Sequence, residues 1–197
     1  MEGGSSYGIG GPLAELFYLR DYWHPQALLD YPFGIEAVLF GFFFGGISSV
    51  IYEELFGKRF MRRISRGEHW SFFAMPFVLI VYLTMSILNR HLGLNSIYAS
   101  MIAFLLIAFI MIFYRRDLFF DSLASGLAMG TIFFLGYMVF LSLFPSAIRE
   151  WWMLKNISGF LVFGVPIEEL LWAFCWGMVG GPLYEFLAGK KLVKTKN

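Results

Sequence analysis

Cysteine is nearly absent. The single Cys175 excludes an internal disulfide and any cysteine-built metal cluster. Charge is scarce as well: 15% of the residues are Asp, Glu, Lys or Arg, against about a quarter in soluble domains. The formal net charge is +1 and no basic stripe marks a nucleic-acid partner. Three histidines, His24, His69 and His91, are scattered. The orientation argued below separates His69 from the other two, which speaks against a three-histidine metal site. Met1 to Gly11 is rich in Gly and Ser, without a basic n-region or an apolar h-region, so no cleavable signal peptide is expected. Residues 1–12 read as a flexible leader, followed by a single membrane domain over 13–197.

What the chain has in abundance is apolar surface. Hydrophobic residues reach 58% and the mean hydropathy is +0.67. About 20 apolar residues suffice to cross the hydrocarbon core of a bilayer, and the pattern predicts five such spans. They run over about 32–56, 72–88, 96–114, 118–144 and 157–187, the last broken near Gly164 and Pro166, because proline starts helices better than it continues them. Leu13 to Leu19 is apolar apart from Glu15 and too short to span. Arg20-Asp21-Tyr22-Trp23-His24-Pro25 follows it as a polar and aromatic cluster suited to a membrane interface. The expected fold is therefore all-α, a polytopic transmembrane bundle with an N-terminal interfacial segment. Eleven of the 15 Lys and Arg fall after the first, third and fifth spans. The positive-inside rule then puts the C-terminus in the cytoplasm and the N-terminus outside. Phenylalanine is unusually frequent, with 24 residues. The rings suit either an apolar, polyene-like ligand or plain contact with lipid and neighbouring helices.

The first and fifth spans repeat each other. An offset of 132 pairs Ile35 with Ile167, Glu36 with Glu168, Leu39 with Leu171, Phe42 with Phe174 and Gly45 with Gly177. The same offset pairs Tyr52-Glu53 with Tyr184-Glu185, Leu55 with Leu187 and Gly57-Lys58 with Gly189-Lys190. Apolar composition alone would not bring Glu, Gly and Tyr-Glu into register. Upstream, Arg20-Asp21-Tyr22-Trp23 resembles Arg149-Glu150-Trp151-Trp152 at a slightly different offset. An even number of spans per period makes this a parallel repeat, with the helices of about 32–56 and 164–188 related by a pseudo-twofold axis along the membrane normal. That axis would set the two helices facing each other across a shared cavity.

Acids at the edge of an apolar run need a reason. Glu36, Glu168 and Glu169 each stand in the first turn of a helix, where they complement the helix dipole. The same residues, buried in an apolar site, could instead give and take protons. Repetition of Glu36 and Glu168 on helices expected to face each other favours chemistry. Tyr52-Glu53 and Tyr184-Glu185 read as structural, with Lys58 and Lys190 as ionic partners. Gly45, Gly46, Gly177, Gly180 and Gly181 read as sites of close helix contact. Asp117 and Asp121 share a helix face and could bind Mg²⁺ and a diphosphate, but a second Asp-rich motif is missing and helix-start capping is preferred.

These motifs together resemble the lycopene cyclase domain family, the membrane-integral type that occurs as paired subunits or fused chains. The likeness rests on Asp21-Tyr22-Trp23-His24-Pro25, on Phe33-Gly34-Ile35-Glu36 with Gly45-Gly46 and Tyr52-Glu53, and above all on Val165-Pro166-Ile167-Glu168-Glu169-Leu170-Leu171. It covers roughly residues 20–188. The resemblance implies redox-neutral formation of β-rings at the ends of lycopene, with no cofactor and no metal. A carboxylic acid protonates the terminal double bond, an internal double bond captures the carbocation, and a base removes a ring proton. Glu168 and Glu169 are the implied acid and base candidates, with Glu36 assisting. Trp23, His24, Phe40, Trp172 and Trp176 are candidates to line the substrate site, the aromatic ones by cation–π contact with the cation. The partner would be an apolar isoprenoid or carotenoid within an integral, multi-pass cell membrane protein that forms homo- or hetero-oligomers. The first copy carries one Glu where the second carries two. The alternative is therefore a non-catalytic carotenoid- or isoprenoid-binding membrane protein, or an assembly partner, of the same fold.

Overall fold

The computed structural model describes residues 10–25, 35–56, 58–62, 70–188 and 190–194. Helix α1 runs over Gly10–Asp21, α2 over Ile35–Phe56 and α3 over Trp70–Met85, the last extended by a π-helical turn at Ser86–His91. Helix α4 covers Ser96–Tyr114, α5 Phe119–Leu143, the short α6 Ala147–Trp151, and α7 Ile167–Ala188. The all-α bundle is as expected. Among the described residues, three helical stretches are long and apolar enough to cross a membrane: Ser96–Tyr114, Arg116–Leu143 and Ile167–Leu187. The expected spans over 32–56 and 72–88 correspond to α2 and to α3 with its π turn. Helix α1 already begins at Gly10, inside the stretch expected to be a leader. Residues 1–9 and His69 lie outside the described residues.

The last span differs most from expectation. Residues 157–166 are not helical. Strands β2 (Leu161–Val162) and β3 (Val165–Pro166) form a small hairpin instead, and α7 starts at Ile167. Its two-residue turn holds Phe163 and Gly164 at φ 51° and 88°, the left-handed pair that tight hairpins require. Proline restricts Val165 before it to extended backbone and then opens the helix. The outcome is that Glu168 and Glu169 sit in the first turn of a helix whose start is fixed covalently.

Helix α7 is the centre of the bundle. It packs along α5 most closely and also against α2, α3 and α4. A Cβ on Gly177 would stand 2.7 Å from Met129 Cβ and 2.7 Å from the Ser125 carbonyl oxygen. Gly180 and Gly181 leave the same kind of room for Ser48 and Ser125. Gly46 is different, because a Cβ there would meet nothing within 4 Å. Replacing Gly177 by Leu is therefore expected to destabilise the protein by about 1–3 kcal/mol through overpacking. Gly46→Ala should leave stability unchanged or slightly raised. Thermal unfolding in detergent checks both.

The repeat is visible in how the chain pairs with itself. Strands β1 (Lys58–Arg62) and β4 (Lys190–Lys194) pair antiparallel with Phe60 opposite Leu192, Lys58 opposite Lys194 and Arg62 opposite Lys190. Exchanging the copies at the offset of 132 maps this register onto itself. At the other end of the bundle Trp23 bridges Trp152. The His24 N–H donates to the Trp151 carbonyl at 2.6 Å and the Met153 N–H to the Tyr22 carbonyl at 2.8 Å. These two bonds exchange with each other at the offset of 129. A twofold axis produces this kind of self-mapping pairing. Helices α2 and α7 both line one cavity and also touch, with Phe44 stacked 5.1 Å from Trp172.

A polar latch closes the bundle at the end near Asp21. The Asp21 carboxylate accepts from the Ser96 hydroxyl at 2.5 Å, the Ser96 N–H at 3.1 Å and the Asn89 amide at 2.6 Å. The π-helical turn brings Asn89 round to it, while Asn95 caps α4 through the Ile97 N–H at 3.0 Å. At the opposite end Arg115 joins Asp117 at 2.8 Å and Glu185 at 3.5 Å. Arg115, just after α4, is thus an ionic partner of Glu185, and Asp117 is an ion-pair member; the side chains of Lys58 and Lys190 lie outside the described residues.

Candidate active site

The bundle encloses a cavity of about 270 Å³ between α1, α2, α3, α4, α5 and α7. Its wall is almost wholly apolar and aromatic. Phe44 lies at the centre of the rings, 5.2 Å from Phe40, 5.0 Å from Phe133 and 5.1 Å from Trp172. Trp176 lies nearly parallel to Trp172 at 6.5 Å. The Trp172 indole is held by its N–H, which donates to the Tyr18 hydroxyl at 2.8 Å.

One carboxyl group anchored in this wall has an unusual set of neighbours. Glu169 is buried, and its Oε1 accepts from the Tyr22 hydroxyl at 2.5 Å and from the Trp152 indole N–H at 2.8 Å. Tyr137 lines the same cavity. The donors come from two places: the end of α1 and the loop after α6. Burial, followed by the field of the carboxylate, holds the Tyr22 phenol well above its ordinary range, so it remains a donor.

The adjacent Glu168 turns the other way. Its Oε1 accepts from the Tyr98 hydroxyl at 2.8 Å and from the Ser158 N–H at 2.9 Å. It does not line the cavity. Successive helix positions point about 100° apart, so the rotation of α7 decides which of the two acids faces the cavity. Glu36, on α2, also does not line the cavity, and it lies within electrostatic reach of Glu15 rather than opposite Glu169. Trp23, Phe40, Trp172 and Trp176 all line the cavity. His24 does not: its side chain is exposed and its backbone makes the bridge to Trp151.

Several residues at the cavity were not singled out from the sequence. In the sequence Tyr22 is an interfacial aromatic, Trp152 belongs to the repeated Arg149-Glu150-Trp151-Trp152 element, and Tyr137 is one ring in an apolar span. Tyr18 and Glu15 also line the cavity. Glu15 carried a signal, as a lone acid in an apolar run. The others carried none that separates them from ordinary membrane aromatics, because their role depends on which helices meet.

A bundle of long apolar helices around an aromatic cavity, with a buried carboxyl group in its wall, defines a helical protein of membrane character. Residues 95–187 match the family model described as Lycopene cyclase. This segment, which contains α4, α5, α7 and the Pro166-Ile167-Glu168-Glu169 element, is similar to the lycopene cyclase family. No curated protein and no solved structure matches the chain. The matched segment supplies Glu169, Trp152 and Tyr137, whereas Tyr22 and Glu15 come from the part before it.

Proposed function

We propose that the protein is a membrane carotenoid cyclase that forms β-ionone rings on a lycopene-type end group, by protonation and proton loss without net oxidation. The observation that carries this reading is Glu169. It is a buried carboxyl group with two hydrogen-bond donors, placed in the wall of a cavity that is mostly aromatic and aliphatic. Such a site excludes the water that would quench a carbocation, and its rings present negative π-faces to a cation. The cavity is at the small end of the roughly 300–1,000 Å³ range of ligand pockets. It suits one folded end of a long isoprenoid rather than the whole molecule.

Access from the bilayer follows from the same geometry. Phe40 on α2 and Val78 on α3 both line the cavity and are 47% and 44% exposed. In this reading they form the lips of a lateral mouth, through which the rest of the polyene extends into lipid. The basic chain ends after α2, α4 and α7 face the cytoplasm. Glu168 positions the Ser158 loop and Tyr98, and Glu169 is the group in contact with substrate.

The test is expression in a lycopene-accumulating bacterium, with the protein confirmed in the membrane fraction and the pigments separated. Conversion of the ψ ends to β-rings is the expected result. Unchanged lycopene would remove the reading for this substrate and leave a carotenoid-binding protein of the same fold.

A further inference from the structure

Cyclisation requires one group to deliver a proton and another to take one. Of the described residues that line the cavity, two carry carboxyl groups, Glu169 and Glu15. Glu15 stands on α1, outside the segment that matches the family. It is 8% exposed, and its Oε2 has no hydrogen-bond partner among the described residues. Tyr18, one turn further along α1, lines the same cavity and lies within electrostatic reach of both carboxyl groups.

Their surroundings are opposite in kind. Glu169 is met by two hydrogen-bond donors, Tyr22 and Trp152, on one oxygen, an arrangement that suits a carboxylate. Glu15 Oε2 meets no hydrogen-bond donor among the described residues, and the charge that acts on Glu15 is the like charge of Glu36. A buried carboxylate with an unpartnered oxygen is costly, whereas a neutral carboxylic acid is tolerated. Two carboxyl groups held in contrasting environments can divide the acid and base roles of one reaction.

We propose that Glu15 is a catalytic residue and the proton donor of this site, with Glu169 as the carboxylate that receives the proton. The inference rests on the cyclase reading and assigns its two proton transfers. The Glu15 O–H bond breaks and a C–H bond forms at the terminal alkene, leaving a tertiary carbocation. The internal alkene supplies the electron pair for the new ring C–C bond, which moves the cation onto the ring. A ring C–H bond then breaks, its electrons closing the ring double bond and its proton passing to Glu169. No electrons are gained or lost. The protein is left with a proton moved from Glu15 to Glu169, and its return across the cavity restores the starting state.

Two measurements test this. In lycopene-accumulating cells, at matched amounts of membrane protein, Glu15→Gln should form rings at least about 100-fold more slowly, the range set by loss of a general acid. Glu15→Asp should keep part of the activity. Wild-type rings together with a Glu15→Gln variant within twofold of wild type would overturn the assignment and leave the cyclase reading standing. The second measurement needs no substrate. The infrared spectrum of the purified protein should contain a protonated carboxyl carbonyl band that is lost in Glu15→Gln and kept in Glu169→Gln. A band unaffected by Glu15→Gln would overturn the assignment. If wild type forms no rings, the function proposed above falls, and the infrared result still decides whether Glu15 is a neutral acid in the cavity.

Discussion

Glu169→Gln is expected to stop ring formation while leaving the protein folded and in the membrane. The amide has nearly the same shape as the carboxyl group and its oxygen can still accept from Tyr22 and Trp152. The packing of α7 against α5 is therefore retained. What is lost is a group able to carry a proton, which in general acid–base catalysis is worth about 10²–10⁴ in rate. The measurement is the initial rate of ring formation in membranes supplied with lycopene, with a melting curve on the same sample. A rate within tenfold of wild type would remove Glu169 from the chemistry. Glu168→Gln makes the contrast. Glu168 holds Tyr98 and the Ser158 N–H outside the cavity, so this variant should lower thermal stability more than it lowers the rate per folded molecule.

The second large effect is expected at Trp172. Its ring faces the cavity within stacking distance of Phe44 and Trp176, and the Tyr18 hydroxyl fixes its orientation. A cation forming beside this ring in a site without water gains about 2 kcal/mol or more, which corresponds to about 30-fold in rate. Trp172→Leu keeps an apolar side chain and removes the π-face. The expected result is a rate about 30-fold lower with little change in the amount of lycopene retained by the purified protein. Trp172→Phe should recover most of the rate. An equal loss in Trp172→Leu of bound lycopene and of rate would show that the ring only shapes the cavity. Full activity in that variant would show that it does neither.

Much of the architecture was legible because it rests on chemistry that acts locally. Apolar runs of the right length announced helices α4, α5 and α7. Pro166 announced the start of α7, since it lacks a donor and restricts the residue before it. The duplication was readable because Glu, Gly and Tyr-Glu recur in register, and the backbone pairing of Phe60 with Leu192 and of Trp23 with Trp152 follows the same offsets. The stretch 157–166 was less legible. Its apolar composition is compatible with a span, but Gly159, Gly164 and Pro166 give it a hairpin.

The site was legible only in part. Composition and spacing determined that acids stand at the head of an apolar helix, that aromatic rings are abundant near them, and that two halves of the chain are copies. They did not determine which acid faces which space. Adjacent residues on a helix diverge by about 100°, so the cavity takes Glu169 and leaves Glu168 outside, a choice set by how α7 is rotated against α4 and α5. The partners of Glu169 lie 147 and 17 residues away in the chain, and no local pattern links them. Glu15 belongs to the cavity because the short helix α1 closes one side of the bundle. The sequence by itself determined a duplicated, apolar, helical membrane protein with acids at a helix start. Only the packing of helices decided that Glu169 and Glu15 share one dry aromatic chamber, because burial and hydrogen bonding depend on neighbours that sequence distance does not record.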